Sequence, residues 1–286
     1  MDWAKIKTIL ILLLVLTNLM LATNYVLSTN RFQVEYEDTG STVQELYRAK
    51  GVEISAAIPE VPQRLPGFEI AQLTFQRSYI DLVLGTGVKE NRSRFSNERF
   101  TAYVENTRLA ISETPYIEDV ILSKNLKLSD PVSITDAEIA TLLESVDNLF
   151  QRYYMNIDYQ EAEVYEIDDL YAIRLYQQFG GYTNDESILF VWFHEKRAIG
   201  FYLENIVSRV GEDTEKYAII PVNEALYAGL PRLQGRDELR KIEIVYKLND
   251  DSLPVRDIVQ GEALPYYKLS FESGAPIYVR AIRSNH

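Results

Sequence analysis

Two histidines and no cysteine occur in the chain. Thiolate metal sites, cysteine nucleophiles and disulfides are therefore excluded together, and imidazole chemistry rests on His194 and the terminal His286. His194 follows Val191-Trp192-Phe193 in a strand-like run, next to Glu195. A catalytic triad needs a serine in a nucleophile elbow such as G-x-S-x-G; no such string occurs, so His194 reads as structural. Gly85-Thr86-Gly87 lacks the third glycine and the following helix of a dinucleotide loop, and reads as a hairpin turn. Walker loops and H-E-x-x-H zinc helices are also missing. Asp158, Glu161, Glu163, Glu166, Asp168 and Asp169 form one acidic cluster, and Asn249, Asp250 and Asp251 a second. Neither has the glycine and spacing of a calcium loop, so both read as solvated surface. A glycosidase pair is set by the fold, and nothing in the sequence singles one out. The doublets Tyr153-Tyr154, Trp192-Phe193 and Tyr266-Tyr267 are expected mostly to fill a core. The chemistry-bearing residues thus predict no catalytic, cofactor-binding or metal site, and an interaction protein rather than an enzyme.

The element that positions everything else is the stretch from Thr8 to Asn30, which carries no charge and is flanked by Lys5, Lys7 and Arg31. A bilayer core takes about 20 mostly apolar helical residues, so residues 8–27 are expected to form a transmembrane helix. Lysines on the short side are expected to keep residues 1–7 in the cytoplasm and to send residues 32–286 across the cell membrane to the outside. A cleaved signal peptide is the competing reading, but the residues around Ala22, Thr23 and Ser28 make a poor cleavage site because Tyr25-Val26-Leu27 continue the hydrophobic run. Thr17 and Asn24 are seven residues apart and share one helical face, and Asn18 lies near mid-span. A carboxamide in hydrocarbon bonds across to a neighbouring helix for about 1 kcal/mol, which makes Thr17, Asn18 and Asn24 the expected contact with a membrane partner.

The roughly 255 residues beyond the helix suffice for two ordinary domains. A hydrophobic content of 47% with 20 tyrosines supports a packed core. The net charge of −13 argues against nucleic acid and against an anionic membrane surface. Residues 28–40 read as a polar tether, and two small α+β domains, each a helix with an antiparallel sheet, are expected over 41–130 and 131–286. In the first, Ser41-Thr42-Val43-Gln44 has capping-box spacing, Val43, Leu46 and Tyr47 form the buried stripe, and Gly51 stops the helix. Pro59, Pro62 and Pro66 mark an extended strap. The run Gly67–Gly85 then reads as strands, and Arg99–Ser112 as a hairpin turning at Glu105-Asn106-Thr107.

In the second, Thr135-Asp136-Ala137-Glu138 is a capping box, followed by Ile139, Leu142, Leu143, Val146, Leu149, Phe150 and Tyr153 at helical spacing. Residues 162–167, 170–179, 186–196 and 198–210 read as an antiparallel meander, residues 222–228 as a helix closed by Gly229, and residues 241–248, 265–271 and 276–282 as further strands.

The opening Met1-Asp2-Trp3, with Lys5, Lys7 and Thr8 leading into the apolar run, resembles the start of the YycI family. The closing GEALPYYKLSFESGAPIYVRAI is similar to that family's last strands, although Tyr266-Tyr267 stands where many members have a tryptophan. The resemblance implies a single-pass α+β regulator that associates with a WalK-type sensor histidine kinase and its sister regulator YycH, in control of cell-wall metabolism. It implies no cofactor. An anchored ligand-binding receptor or cell-wall hydrolase is the alternative from a different class.

Overall fold

The computed structural model describes residues 14, 17, 18 and 20 and the segments 42–85, 87–122, 131–167, 169–248 and 259–283. In chain order the elements are helix α1 (42–49), strands β1 (Val52–Ile54) and β2 (Arg64–Gln72), helix α2 (Arg77–Leu84), strands β3 (Lys89–Asn91), β4 (Arg94–Ser96), β5 (Phe100–Glu105) and β6 (Arg108–Glu113), and helices α3 (Ile117–Leu122) and α4 (Asp136–Arg152). They continue with strands β7 (Tyr159–Ile167), β8 (Leu170–Phe179), β9 (Tyr182–Thr183), β10 (Ile188–His194), β11 (Arg197–Glu204) and β12 (Val207–Ala218), helix α5 (Val222–Gly229), and strands β13 (Asp237–Leu248), β14 (Gln260–Phe271) and β15 (Ile277–Arg280). The fold is mixed α+β, dominated by sheets.

Two compact units divide the chain. One takes residues up to Pro59, Ile220–Ile242 and Lys268–Val279; the other takes Glu60–Ile219, Glu243–Tyr267 and the residues from Arg280. The division expected at residue 131 is not where contacts part. Strand β6 pairs with β11, Leu109 opposite Leu203, so the hairpin of the expected first domain and the meander of the second belong to one sheet. Such a pairing between distant segments leaves no mark on local periodicity.

In the smaller unit, α1 buries Val43 and Tyr47, at i and i+4, while Leu46 is exposed, contrary to the expected stripe. The Tyr47 hydroxyl donates to Leu226 O at 3.0 Å, and burial raises its pKa. At Gly229 a Cβ would come within 2.9 Å of Leu269 Cδ1 and 3.1 Å of Tyr47 Oη, so glycine lets α5 sit close. Gly51 ends α1 at φ 83°, the left-handed turn that glycine adopts without strain. Strand β1 runs parallel to β13, Val52 opposite Asp237.

The larger unit is built on a nine-stranded sheet ordered β3-β4-β5-β6-β11-β10-β8-β7, with β9 on β8. Its interior strand β10, between β11 and β8, is apolar on both faces. Leu189, Val191 and Phe193 join Ile80 and Leu84 of α2 and Leu142, Val146, Leu149 and Phe150 of α4 in one core; Phe190 and Trp192 join Ile117 and Val120 of α3 in another. Thr135 caps α4 as expected: its hydroxyl accepts from Glu138 N, and the Glu138 carboxylate accepts from Thr135 N.

Residues 77–84 form a helix, not the expected strand. The octapeptide is too short for its apolar residues to separate the two periods, and burial of Ile80 and Leu84 on the sheet decides for the helix. The run expected as one strand over 198–210 is two. Asn205 turns left-handed at φ 55°, a conformation a short amide side chain tolerates, and breaks it into β11 in the nine-stranded sheet and β12 on β2. The Asn205 amide accepts from Gln72 Nε2 at 3.3 Å and Thr107 Oγ1 at 3.1 Å, and donates to Glu186 O at 3.2 Å.

Candidate functional site

Thr17 and Asn18 are helical and exposed, as are Leu14 and Met20. Asn24 and the rest of 8–27 lie outside the described residues, and so do Asp168, Asn249, Asp250, Asp251 and His286. Among the described residues no helix is long and apolar enough to cross a membrane. His194 ends β10 with its ring 5.8 Å from that of Tyr116. The adjacent Glu195 and Lys196 both take positive φ and form the β10–β11 turn. Gly85 caps the C-terminus of α2 at φ 80°, rather than turning a hairpin. Glu163 lies beside Arg174 at 3.9 Å and accepts from the hydroxyl of the buried Tyr165, a half-buried polar array on β7 and β8. Of the aromatic doublets, Trp192, Phe193, Tyr266, Tyr267 and Tyr153 are buried as expected, but Tyr154 is 71% exposed.

Two clefts merit comparison. The smaller unit holds one of about 460 Å³ beside the turn between β14 and β15. Its charged groups are engaged in holding that turn. The Asp237 carboxylate accepts from Ser273 Oγ at 2.8 Å, Glu238 N at 2.8 Å and Ser273 N at 3.2 Å, and the Ser273 hydroxyl foremost keeps it below the usual carboxylate range. Arg232 donates to Tyr278 O at 2.6 Å.

The larger unit holds a cleft of about 390 Å³ of different character. Its walls are the end of β2, the first turn of α2, the residues after α4 and the start of β12. Ile157 and Val207 are buried in its floor, with Phe75 and Tyr79 half-buried and their rings 5.7 Å apart. The Tyr79 hydroxyl donates to Tyr153 O at 2.8 Å, and burial pushes its pKa up, so it serves as a fixed neutral donor. Val207 is fixed in turn by Gln177, whose side-chain amide donates to Val207 O at 2.6 Å and accepts from Val207 N at 3.2 Å, replacing a missing strand.

The end of α4 presents Tyr154 at this cleft. Met155 N–H bonds Phe150 O at 2.9 Å and Tyr154 N–H bonds Gln151 O at 3.1 Å, the two closures of a Schellman motif. That motif places Tyr154 at the left-handed position, φ 54°, where glycine or asparagine is usual. For a residue with a Cβ this conformation costs about 1–2 kcal/mol. The exposed ring recovers little of it by burial. The doublet reads as core from its composition, and the one mark of its exposure in the sequence is a long helix ending without glycine.

No family model matches the chain, and no curated protein matches it. Among solved structures, an uncharacterized protein from Eubacterium rectale is similar over 85% of this chain and 94% of its own, at 13% identity and a TM-score of 0.49. The Bacillus megaterium YpeB C-terminal domain is similar over 72% of this chain and 91% of its own, at 10% identity and a TM-score of 0.32. At these values the chemistry of the site is read from its own residues.

Proposed function

We propose that this chain is a non-enzymatic regulatory protein. In this reading residues 8–27 cross the cell membrane once, with the N-terminus cytoplasmic, and associate there with a WalK-type sensor histidine kinase and its YycH-type sister regulator to modulate two-component signalling in cell-wall homeostasis. The observation that carries it is the pair Thr17 and Asn18, helical and exposed within an uncharged stretch flanked by lysines. A carboxamide facing hydrocarbon gains by bonding to a neighbouring helix. The outer region supports a non-catalytic role through its engaged polar groups: Asp237 and Arg232 hold a turn, and the buried Glu204 accepts from Tyr202 Oη at 2.6 Å and Arg108 Nε at 2.8 Å. Among the described residues no buried side-chain nitrogen or oxygen lacks a hydrogen-bond partner.

A kinase with two signalling states responds to a partner that prefers one of them, and about 1–3 kcal/mol of differential binding shifts the equilibrium roughly 5- to 150-fold. Asn18→Leu removes the polar contact and keeps the apolar length. It should weaken co-purification with the kinase while near-ultraviolet circular dichroism of the outer region is unchanged. Undiminished co-purification would remove this face from the account.

A further inference from the structure

We infer that the aromatic cleft of the larger unit binds a neutral, hydroxyl-rich ligand of the saccharide class. Its lining carries no charged side chain, although a quarter of the chain's residues are charged. The lining offers a carboxylate, phosphate or ammonium group no counter-charge, which favours a neutral ligand over an ionic one. The rim instead carries carboxamides and hydroxyls at Gln76, Asn156, Thr74 and Ser78, groups that both donate and accept. Gln76 sits at the N-cap of α2 yet makes no capping hydrogen bond with its side chain, which leaves the amide at the rim.

Polar rim, apolar floor and aromatic rings match the two surfaces of a pyranose. Its C–H faces carry partial positive charge and stack on the negative face of an aromatic ring, and its hydroxyl edges exchange hydrogen bonds with amides. The volume lies within the range of small-ligand sites. An extended peptide adding to the sheet is a poorer match, because the N–H and C=O of Val207 that border the cleft already bond Gln177. Tyr154 completes the argument: a residue held in a conformation suited to glycine, with its ring in solvent at the cleft, is explained by what the ring meets there.

The inference does not rest on the membrane association, and the two are tested by different substitutions. The full chain in phospholipid nanodiscs, free of sugar-headed detergents, is titrated calorimetrically with cellotriose, with the N-acetylglucosamine trimer and with the trimer of galacturonic acid. Saturable binding of at least one neutral trimer is expected, at least tenfold tighter than the charged one. Tyr154→Gly should weaken that binding at least tenfold without lowering the thermal midpoint, and Asn156→Ala should weaken it with the midpoint unchanged. Absence of saturable heat from both neutral trimers, preference for the charged trimer, or wild-type binding by Tyr154→Gly would each overturn the inference.

Discussion

Gln177 offers a quantitative test of how the larger unit holds its cleft. The side chain is 5% exposed and Val207 3%. Its amide both donates to and accepts from the Val207 backbone, and its oxygen also accepts from Asn184 Nδ2 at 3.1 Å. Gln177→Leu nearly keeps the volume and strands three buried groups, the N–H and C=O of Val207 and one N–H of the Asn184 amide. Each unsatisfied buried polar group costs about 1–3 kcal/mol, so about 3 kcal/mol is expected after partial relaxation toward water. For a region of this size 1 kcal/mol moves the thermal midpoint by about 2–4 °C, giving a fall of roughly 6–12 °C. Near-ultraviolet circular dichroism against temperature, on the full chain in nanodiscs, reads it directly. A midpoint within about 2 °C of wild type would show that the pairing contributes no more than an exposed hydrogen bond.

Other substitutions test other parts of the fold. A Cβ at Gly200 would lie 2.6 Å from Ile111 O and 2.6 Å from Ser112 Cβ, so Gly200→Ala should destabilise by about 1–3 kcal/mol, read by denaturant unfolding. Thr135→Ala removes the capping box of α4 and should cost about 1 kcal/mol in the same assay, with Thr135→Ser retaining most of it. Tyr154→Gly should leave the thermal midpoint unchanged or raise it, because relief of the left-handed strain offsets the added freedom of glycine in the unfolded chain. Glu186 is held above the usual carboxylate range, chiefly by burial and less by Asp185, although Leu248 N and Lys247 favour its charged form. A raised folded pKa means stability is lost as pH rises from the ordinary carboxylate range through the raised value. Glu186→Gln should abolish that part of the pH dependence in thermal scans taken across the window.

What could be read before the fold was known follows from how local each signal is. The capping box at Thr135 and the spacing of Leu142, Val146 and Leu149 specify α4 within a few turns of chain, and the apolar run of β10 announces a strand, while its burial on both faces emerges only from the packing of α2, α4 and α3. The octapeptide of α2 fits both periods, and only packing of Ile80 and Leu84 resolves it. The union of the hairpin with the meander depends on Leu109 meeting Leu203, which no window of sequence contains. The cleft was illegible for the same reason, since its walls come from four separated segments. The exposure of Tyr154 is hidden in the sequence because an aromatic doublet after a helix looks like core, and the left-handed backbone angle that turns one ring outward has no residue-type signal here.

The central claim, association inside the membrane through Asn18, is tested most directly by a photoreactive side chain placed at that position in native membranes, followed by identification of what it captures. Capture of a sensor histidine kinase or its sister regulator is the predicted result. Capture of neither, with the chain inserted and both proteins expressed, would contradict the account and favour an anchored receptor or enzyme acting alone.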